Sequence, residues 1–179
     1  MIDCRPLILV LLPVSLCSAA PPPPAPVPAN AIAISTSLAS ALGAALVQAP
    51  GLARDDRRWR SSIAASYSAR SWQPLWSSSA GVTRNALRMI ELLDHAADYG
   101  LDIRDYDPAS LTARVQAMGL VGAAGDAARA QFDAALSLAA ARFVSDLHSG
   151  RVAPRSVGHD LDVPHAAVDV GAAIAGAAG

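Results

Sequence analysis

The sequence predicts an all-α protein, a small bundle of four or five helices. Apolar residues recur three and four positions apart in several segments, and Pro or Gly separates these segments. No run of alternating Val, Ile or Thr indicates a sheet. All eight aromatic residues lie between Trp59 and Phe143, so we expect the core in that interval. The length of 179 residues fits one domain with appendages.

Composition excludes several classes of protein. A formal net charge of −1 argues against a nucleic-acid or anionic-membrane binder, which would carry a basic excess. All 14 basic residues are Arg, so Schiff-base and P-loop lysine chemistry are excluded. Both cysteines, Cys4 and Cys17, lie near the N-terminus.

Residues 1–29 are predicted to be a signal peptide and a Pro-rich spacer. Arg5 precedes an apolar run at 7–16 that is too short to span a membrane. Cleavage after Ala20 and cleavage after Ala29 both remain open. We therefore expect an exported, periplasmic protein. Cys17 would allow a lipid anchor, although Leu16 stands where a small residue is expected.

Residues 30–53 are predicted to be an Ala/Ser-rich linker or a marginal helix, and the folded domain is predicted at 54–179. Asp55 and Asp56 suit a helix start. The helix that follows places three large residues on one face: Trp59, Ile63 and Tyr67. Pro74 ends this pattern within a turn at 72–76, and a loop is predicted at 77–81.

The second helix is predicted to begin after Thr83 as N-cap and to end before Gly100. Its apolar face consists of Ala86, Ile90, Leu93 and Ala97. Asp107 and Pro108 predict the start of a third, short helix that ends near Met118.

The strongest helical pattern runs from Asp126 to about Leu147, and Gly150 is predicted to end it. Its apolar stripe consists of Phe132, Leu136, Ala139, Phe143 and Leu147. Residues 159–164 are predicted to be extended, with a last Ala/Gly-rich helix up to Gly179. This ending has no capping residue, which favours a domain truncated at its C-terminal end.

No residue pattern predicts a catalytic, metal or cofactor site. The four histidines do not have the spacing of a helical zinc site. We expect an exposed helix face at His95, a helix C-terminus at His148, and a solvated loop at His159 and His165. Asp102, Asp105 and Asp107 could supply a carboxylate pair to a small hydrolase, but such residues more often form turns and caps.

Two further groups have competing interpretations. The arginines between Arg54 and Arg60 could bind an anion or form a solvated helix face. Trp72 and Trp76 could stack on a sugar ring or belong to a packed turn. The packed turn and the solvated face are the favoured alternatives.

Three ordered blocks resemble the scaffold domain that precedes the catalytic domain of large murein L,D-transpeptidases. The first is Tyr67-Ser68-Ala69-Arg70-Ser71-Trp72-Gln73-Pro74-Leu75-Trp76. The second runs from Leu92 to Asp102 and continues in Asp105-Tyr106. The third is Phe143-Val144-Ser145-Asp146-Leu147-His148-Ser149-Gly150-Arg151-Val152-Ala153-Pro154. Together they cover roughly residues 58–160.

The resemblance implies a periplasmic protein of peptidoglycan metabolism. In this family a separate β-rich domain cross-links stem peptides through a Cys in a Ser-His-Gly-Cys type motif, and a peptidoglycan-binding module often lies between the two domains. This chain has no such motif, so no catalytic residue carries over. The resemblance implies structural positions instead: Tyr67, Trp72, Pro74, Trp76, Tyr99, Gly100, Tyr106, Phe143, Gly150 and Arg151.

Two functions fit this reading. The chain is expected to be a non-catalytic scaffold segment of a murein L,D-transpeptidase, with the catalytic and peptidoglycan-binding domains as partners. The alternative is a free-standing envelope module that binds peptidoglycan or a protein through the turn at 72–76. Neither requires a cofactor.

Overall fold

The computed structural model describes residues 29–48, 57–118, 124–150, 158 and 168–179. Within these residues the fold is mainly α-helical, which confirms the predicted class. Six α-helices are present: α1 Ala29–Gln48, α2 Arg57–Ala69, α3 Arg84–Asp94, α4 Pro108–Met118, α5 Ala124–Ser149 and α6 Val170–Ala178. Two 3-10 helices, Ala96–Tyr99 and Ile103–Asp105, connect α3 to α4. A small hairpin pairs β1 Ser77–Ser78 with β2 Gly81–Val82 where the sequence predicted a loop.

Helix α5 is the centre of the bundle, and the other five α-helices all contact it. Its apolar stripe is buried as predicted from Phe132 to Phe143. Leu147, predicted on the same stripe, is 47% exposed, although the adjacent Asp146 is buried. The observed helix begins two residues before the predicted start at Asp126.

Helix α1 corrects the linker prediction for residues 30–53. Four of its side chains lie in the hydrophobic core: Leu38, Leu42, Ala45 and Leu46. The Arg60 guanidinium donates hydrogen bonds to the carbonyls of Leu46 and Val47, at the end of α1 where carbonyls lack helical partners. The folded part therefore begins before residue 54. The packed α1 also brings the number of helices above the four or five that we predicted.

Several predicted helix ends are confirmed by their hydrogen bonds. Thr83 Oγ1 accepts from the Ala86 N–H, and Asp107 Oδ1 accepts from the Ser110 N–H at the start of α4. Gly150 ends α5 with a φ of 76°. The prediction that Ala97 lies on the apolar face of this helix is wrong. Helix α3 ends at Asp94, and Ala97 lies exposed in the following 3-10 helix, which Gly100 ends.

Helix α6 packs closely against α2. The Gly171 N–H donates to Ser62 Oγ, and a Cβ at residue 171 would lie 2.6 Å from the hydroxyl oxygens of Ser62 and Ser66. Asp169 caps the helix by accepting from the Ala172 N–H. The helix predicted at the end of the chain therefore exists and is part of the packed domain.

Some predictions fall outside the described residues. These are the signal peptide and Pro-rich spacer predicted at 1–29, apart from Ala29 at the start of α1, the extended segment predicted at 159–164, and Arg151. None of the helices in the described part of the chain is both long enough and apolar enough to cross a membrane.

Candidate functional site

A buried carboxylate on α5, Asp133, is the centre of the main polar site. Its side chain is fully buried although it lies on the central helix of an apolar bundle. Residues 133, 137 and 140 are spaced by four and three, so Asp133 and Ser137 share the buried face of α5 with Ala140. That face meets the turn at 72–76, which follows α2.

The turn and its neighbours supply four hydrogen-bond donors to the Asp133 carboxylate. Oδ1 accepts from the Leu75 N–H at 2.6 Å, from the Trp76 N–H at 2.8 Å and from the Tyr67 hydroxyl at 3.3 Å. Oδ2 accepts from Ser77 Oγ at 2.5 Å. Oδ1 therefore accepts from three donors and Oδ2 from one.

Ser137 extends the network to the two buried aromatic side chains. Its Oγ lies 2.9 Å from the Tyr67 hydroxyl and accepts from Trp76 Nε1 at 2.9 Å. The polar side-chain atoms of Tyr67 and Trp76 are therefore both satisfied by α5. Residues between 56 and 70 positions apart in the sequence are joined in this way.

Burial controls the ionisation of both acids in this network. Desolvation raises the pKa of Asp133 above its ordinary value, and the bonds from Ser77, Trp76, Leu75 and Tyr67 offset part of that rise. Burial, together with the nearby Asp133, raises the pKa of Tyr67 well above its ordinary value, so the phenol remains protonated as a donor. The Asp133 carboxylate is closed to water and bound by four donors, so its role is structural: it locks α5 to the turn at 72–76.

The turn itself is a packed element, as favoured over the sugar-stacking alternative. Trp76 is fully buried, and Trp72 is half-buried with its ring parallel to Tyr67 at a centroid distance of 6.4 Å. Ser71 and Trp72 both have positive φ, at 53° and 59°, an uncommon backbone conformation for residues other than Gly. Pro74 is half-buried between the two tryptophans. The sugar platform is therefore incorrect for Trp76, whose ring no ligand can reach.

A second buried polar cluster joins α5 to the segment before α4. The Tyr106 hydroxyl donates to Asp146 Oδ2 at 2.9 Å, and the Arg142 guanidinium donates to the carbonyl of Asp105. Phe143 holds two aromatic rings edge-on, Tyr99 at 5.8 Å and Tyr106 at 5.4 Å between centroids. Tyr106 and Phe143 are buried, whereas Tyr99 is 53% exposed.

The aspartates proposed for a hydrolase form turns and caps. Asp102 accepts from the Arg104 N–H and pairs with its guanidinium at 2.6 Å, which raises the pKa of that Arg. Asp107 caps α4, and the backbone of Asp105 anchors Arg142. The hydrolase alternative has no support, because the cap bonds orient Asp102 and Asp107 toward the backbone of their own helices.

The histidines and arginines are placed as follows. His95 lies exposed beside Asp98 at 3.2 Å, and His148 is half-buried near the end of α5. His159, His165 and Arg54 lie outside the described residues. The Arg60 guanidinium donates to a carbonyl at the end of α1, a contact that neither the anion-site nor the solvated-face interpretation predicted. The described residues contain no group of three His, Cys, Asp or Glu side chains that could hold a metal ion.

Sequence reasoning missed Asp133 and Ser137. The sequence did contain a signal for them. Asp133 directly follows Phe132 of the strongest apolar stripe, and Ser137 lies four positions after Asp133, on the same helix face. A polar pair on the face that enters the core must find donors inside it. Two of these donors are backbone N–H groups of a distant turn, and backbone groups cannot be recognised from residue type.

The three sequence blocks thus meet on one helix. The first block is bound to α5 through Asp133 and Ser137, the second is bound through Tyr99 and Tyr106, and the Phe143–Ser149 part of the third is the end of α5 itself. One helix therefore joins the first two blocks to the described part of the third.

Comparison with known proteins gives one match. A family model described as "Scaffold domain" matches residues 61–179, which include most of α2, all of α3 to α6 and all three blocks. No curated protein and no solved structure matches the chain.

Proposed function

Since the chain belongs to the scaffold-domain family, we propose that it is the non-catalytic scaffold segment of a periplasmic murein L,D-transpeptidase. In this role it holds the catalytic and peptidoglycan-binding domains in position for the cross-linking of stem peptides. The chain itself makes no covalent bond with substrate. An exported location, through the leader at 1–29, belongs to the same proposal.

The observation that carries the proposal is the convergence of the three blocks on α5. The residues on which the resemblance rests include four that lock the bundle, with Tyr67 and Trp76 at one end and Tyr106 and Phe143 at the other. Their chemistry is satisfied internally, so they support a rigid framework. A framework of this kind is suited to fixing the distance between domains attached to it.

The envelope-binding alternative loses its main feature. It required Trp72 and Trp76 to present their faces to a glycan, but Trp76 is buried and Trp72 lies against Tyr67. We therefore propose only the scaffold role.

Two experiments test the proposal. The first is to read the nucleotide sequence past Gly179 in all frames; a β-rich domain with a Ser-His-Gly-Cys type motif is expected, and its absence from every frame contradicts the transpeptidase assignment. The second is to incubate the purified chain with tetrapeptide muropeptides. No cross-linked product is expected from the chain alone, and turnover would overturn the non-catalytic role.

A further inference from the structure

The surface between α3 and α4 contains an open groove of about 590 Å³. Its α3 side is formed by Leu87, Ile90, Glu91 and Asp94. The last three follow Leu87 by three, four and seven positions, so all four share one helix face. This stripe is about 10 Å long, or about two helical turns. Its α4 side includes Ala109, Val115 and Gln116.

The floor of the groove is apolar and incompletely covered. Leu87 is 50% exposed, although α3 already buries Ala86, Ile90 and Leu93 against the core. Leu87 thus leaves apolar surface exposed in the groove, together with Ala109 and Ala113 of α4. Covering that surface releases water and favours association.

The charged residues that line the groove are all acidic. Glu91 and Asp94 are exposed along its α3 side, while Thr112 and Gln116 on α4 are neutral. Arg84 and Arg88 lie on α3 but outside the lining. A partner with cationic side chains beside its apolar ones would match this surface, whereas an acidic partner would be repelled.

We propose that the α3–α4 groove binds an amphipathic helix of another protein, with apolar side chains on the floor and Arg or Lys beside Glu91 and Asp94. Two turns of exposed groove with one sign of charge fit the way in which helices bind grooves in other proteins. The inference does not depend on the transpeptidase assignment, because its test measures binding by this chain alone.

The test uses a phage-displayed library of Ala-based helices of roughly 16 residues, a length at which such helices begin to fold. Leu is fixed along one face, and the flanking positions vary among Arg, Glu and Gln. The full chain is the bait. We expect Arg to be enriched at the flanks. Enrichment of Glu, the absence of any charge preference, or the absence of binding overturns the proposal.

Variants then locate the site. The double variant Glu91→Gln/Asp94→Asn should weaken the selected peptide by about two- to thirty-fold, the range expected for two exposed ion pairs. Leu87→Arg should abolish binding. The matched control is Leu147→Arg, at a residue 47% exposed elsewhere, which should leave affinity unchanged. Circular dichroism checks that each variant is folded.

Three results would contradict the groove as the site. One is equal loss of affinity for Leu87→Arg and Leu147→Arg. Another is full affinity in Leu87→Arg. The third is a dimer in sedimentation that Leu87→Arg dissociates, because the groove would then bind a second copy of this chain.

Discussion

Replacing Asp133 with Ala removes the acceptor that joins α5 to the turn at 72–76. The N–H groups of Leu75 and Trp76 are left buried without this partner, while Ser77 can rotate its hydroxyl. Each buried N–H that loses its acceptor costs about 1–3 kcal/mol. Removing a desolvated carboxylate recovers part of that sum. We therefore expect a loss of about 2–5 kcal/mol in the free energy of unfolding.

The size of this loss should depend on which atom is removed. Asp133→Asn keeps an oxygen at the Oδ1 position for both backbone N–H groups, so we expect a loss of only about 1–2 kcal/mol. The exposed Asp98 is the matched control, since its Ala variant should change stability by less than about 1 kcal/mol.

Urea unfolding and thermal melting, both followed by circular dichroism, measure all three variants. For a chain of this size, about 2–4 °C of melting temperature corresponds to 1 kcal/mol, so Asp133→Ala should melt about 4–20 °C below wild type. Equal losses for Ala and Asn, or a loss for Ala no larger than that of the Asp98 control, would refute the claim that the backbone bonds of the turn depend on this carboxylate.

Three further predictions concern single residues. Gly171→Ala should cost about 1–3 kcal/mol, because its Cβ would meet Ser62; Gly176→Ala in the same helix has open space and should not destabilise the protein, and equal melting of the two would contradict the packing. Thr83→Ala should lose about 0.5–2 kcal/mol of N-cap stabilisation in urea unfolding, and an unchanged midpoint would argue against the cap. Burial raises the pKa of Asp133 above its unfolded value of about 3.9, so this group stabilises the fold most below that value and loses the contribution as the pH rises through its folded pKa. Lowering the pH should therefore raise the free energy of unfolding of wild type relative to that of Asp133→Asn. Urea unfolding across a pH series measures this difference, and a decrease at low pH would contradict the prediction.

Local signals explain what the sequence predicted well. A cap involves residues within three or four positions, so Thr83, Asp107 and Gly150 could be assigned from residue type alone. The buried face of α2 followed from the spacing of Ile63 and Tyr67 in the same way.

Long-range contacts explain what it did not. Helix α1 buries Leu38, Leu42, Ala45 and Leu46, but these residues stand in a segment that is otherwise mostly Ala and Ser, so the segment carries little hydrophobic signal. Asp133 binds N–H groups 57 and 58 residues away, and backbone groups are the same in every residue. The resemblance named Tyr67 and Trp76, which contribute to this lock, but it did not indicate the α5 residues that they bind.

The proposed role as a cell-wall scaffold is tested most directly by the muropeptide composition of cells that lack this gene. We expect fewer peptidoglycan cross-links of the type made by L,D-transpeptidases, and we expect the gene together with its downstream sequence to restore them. Unchanged cross-linking in the deletion strain would contradict the proposed role.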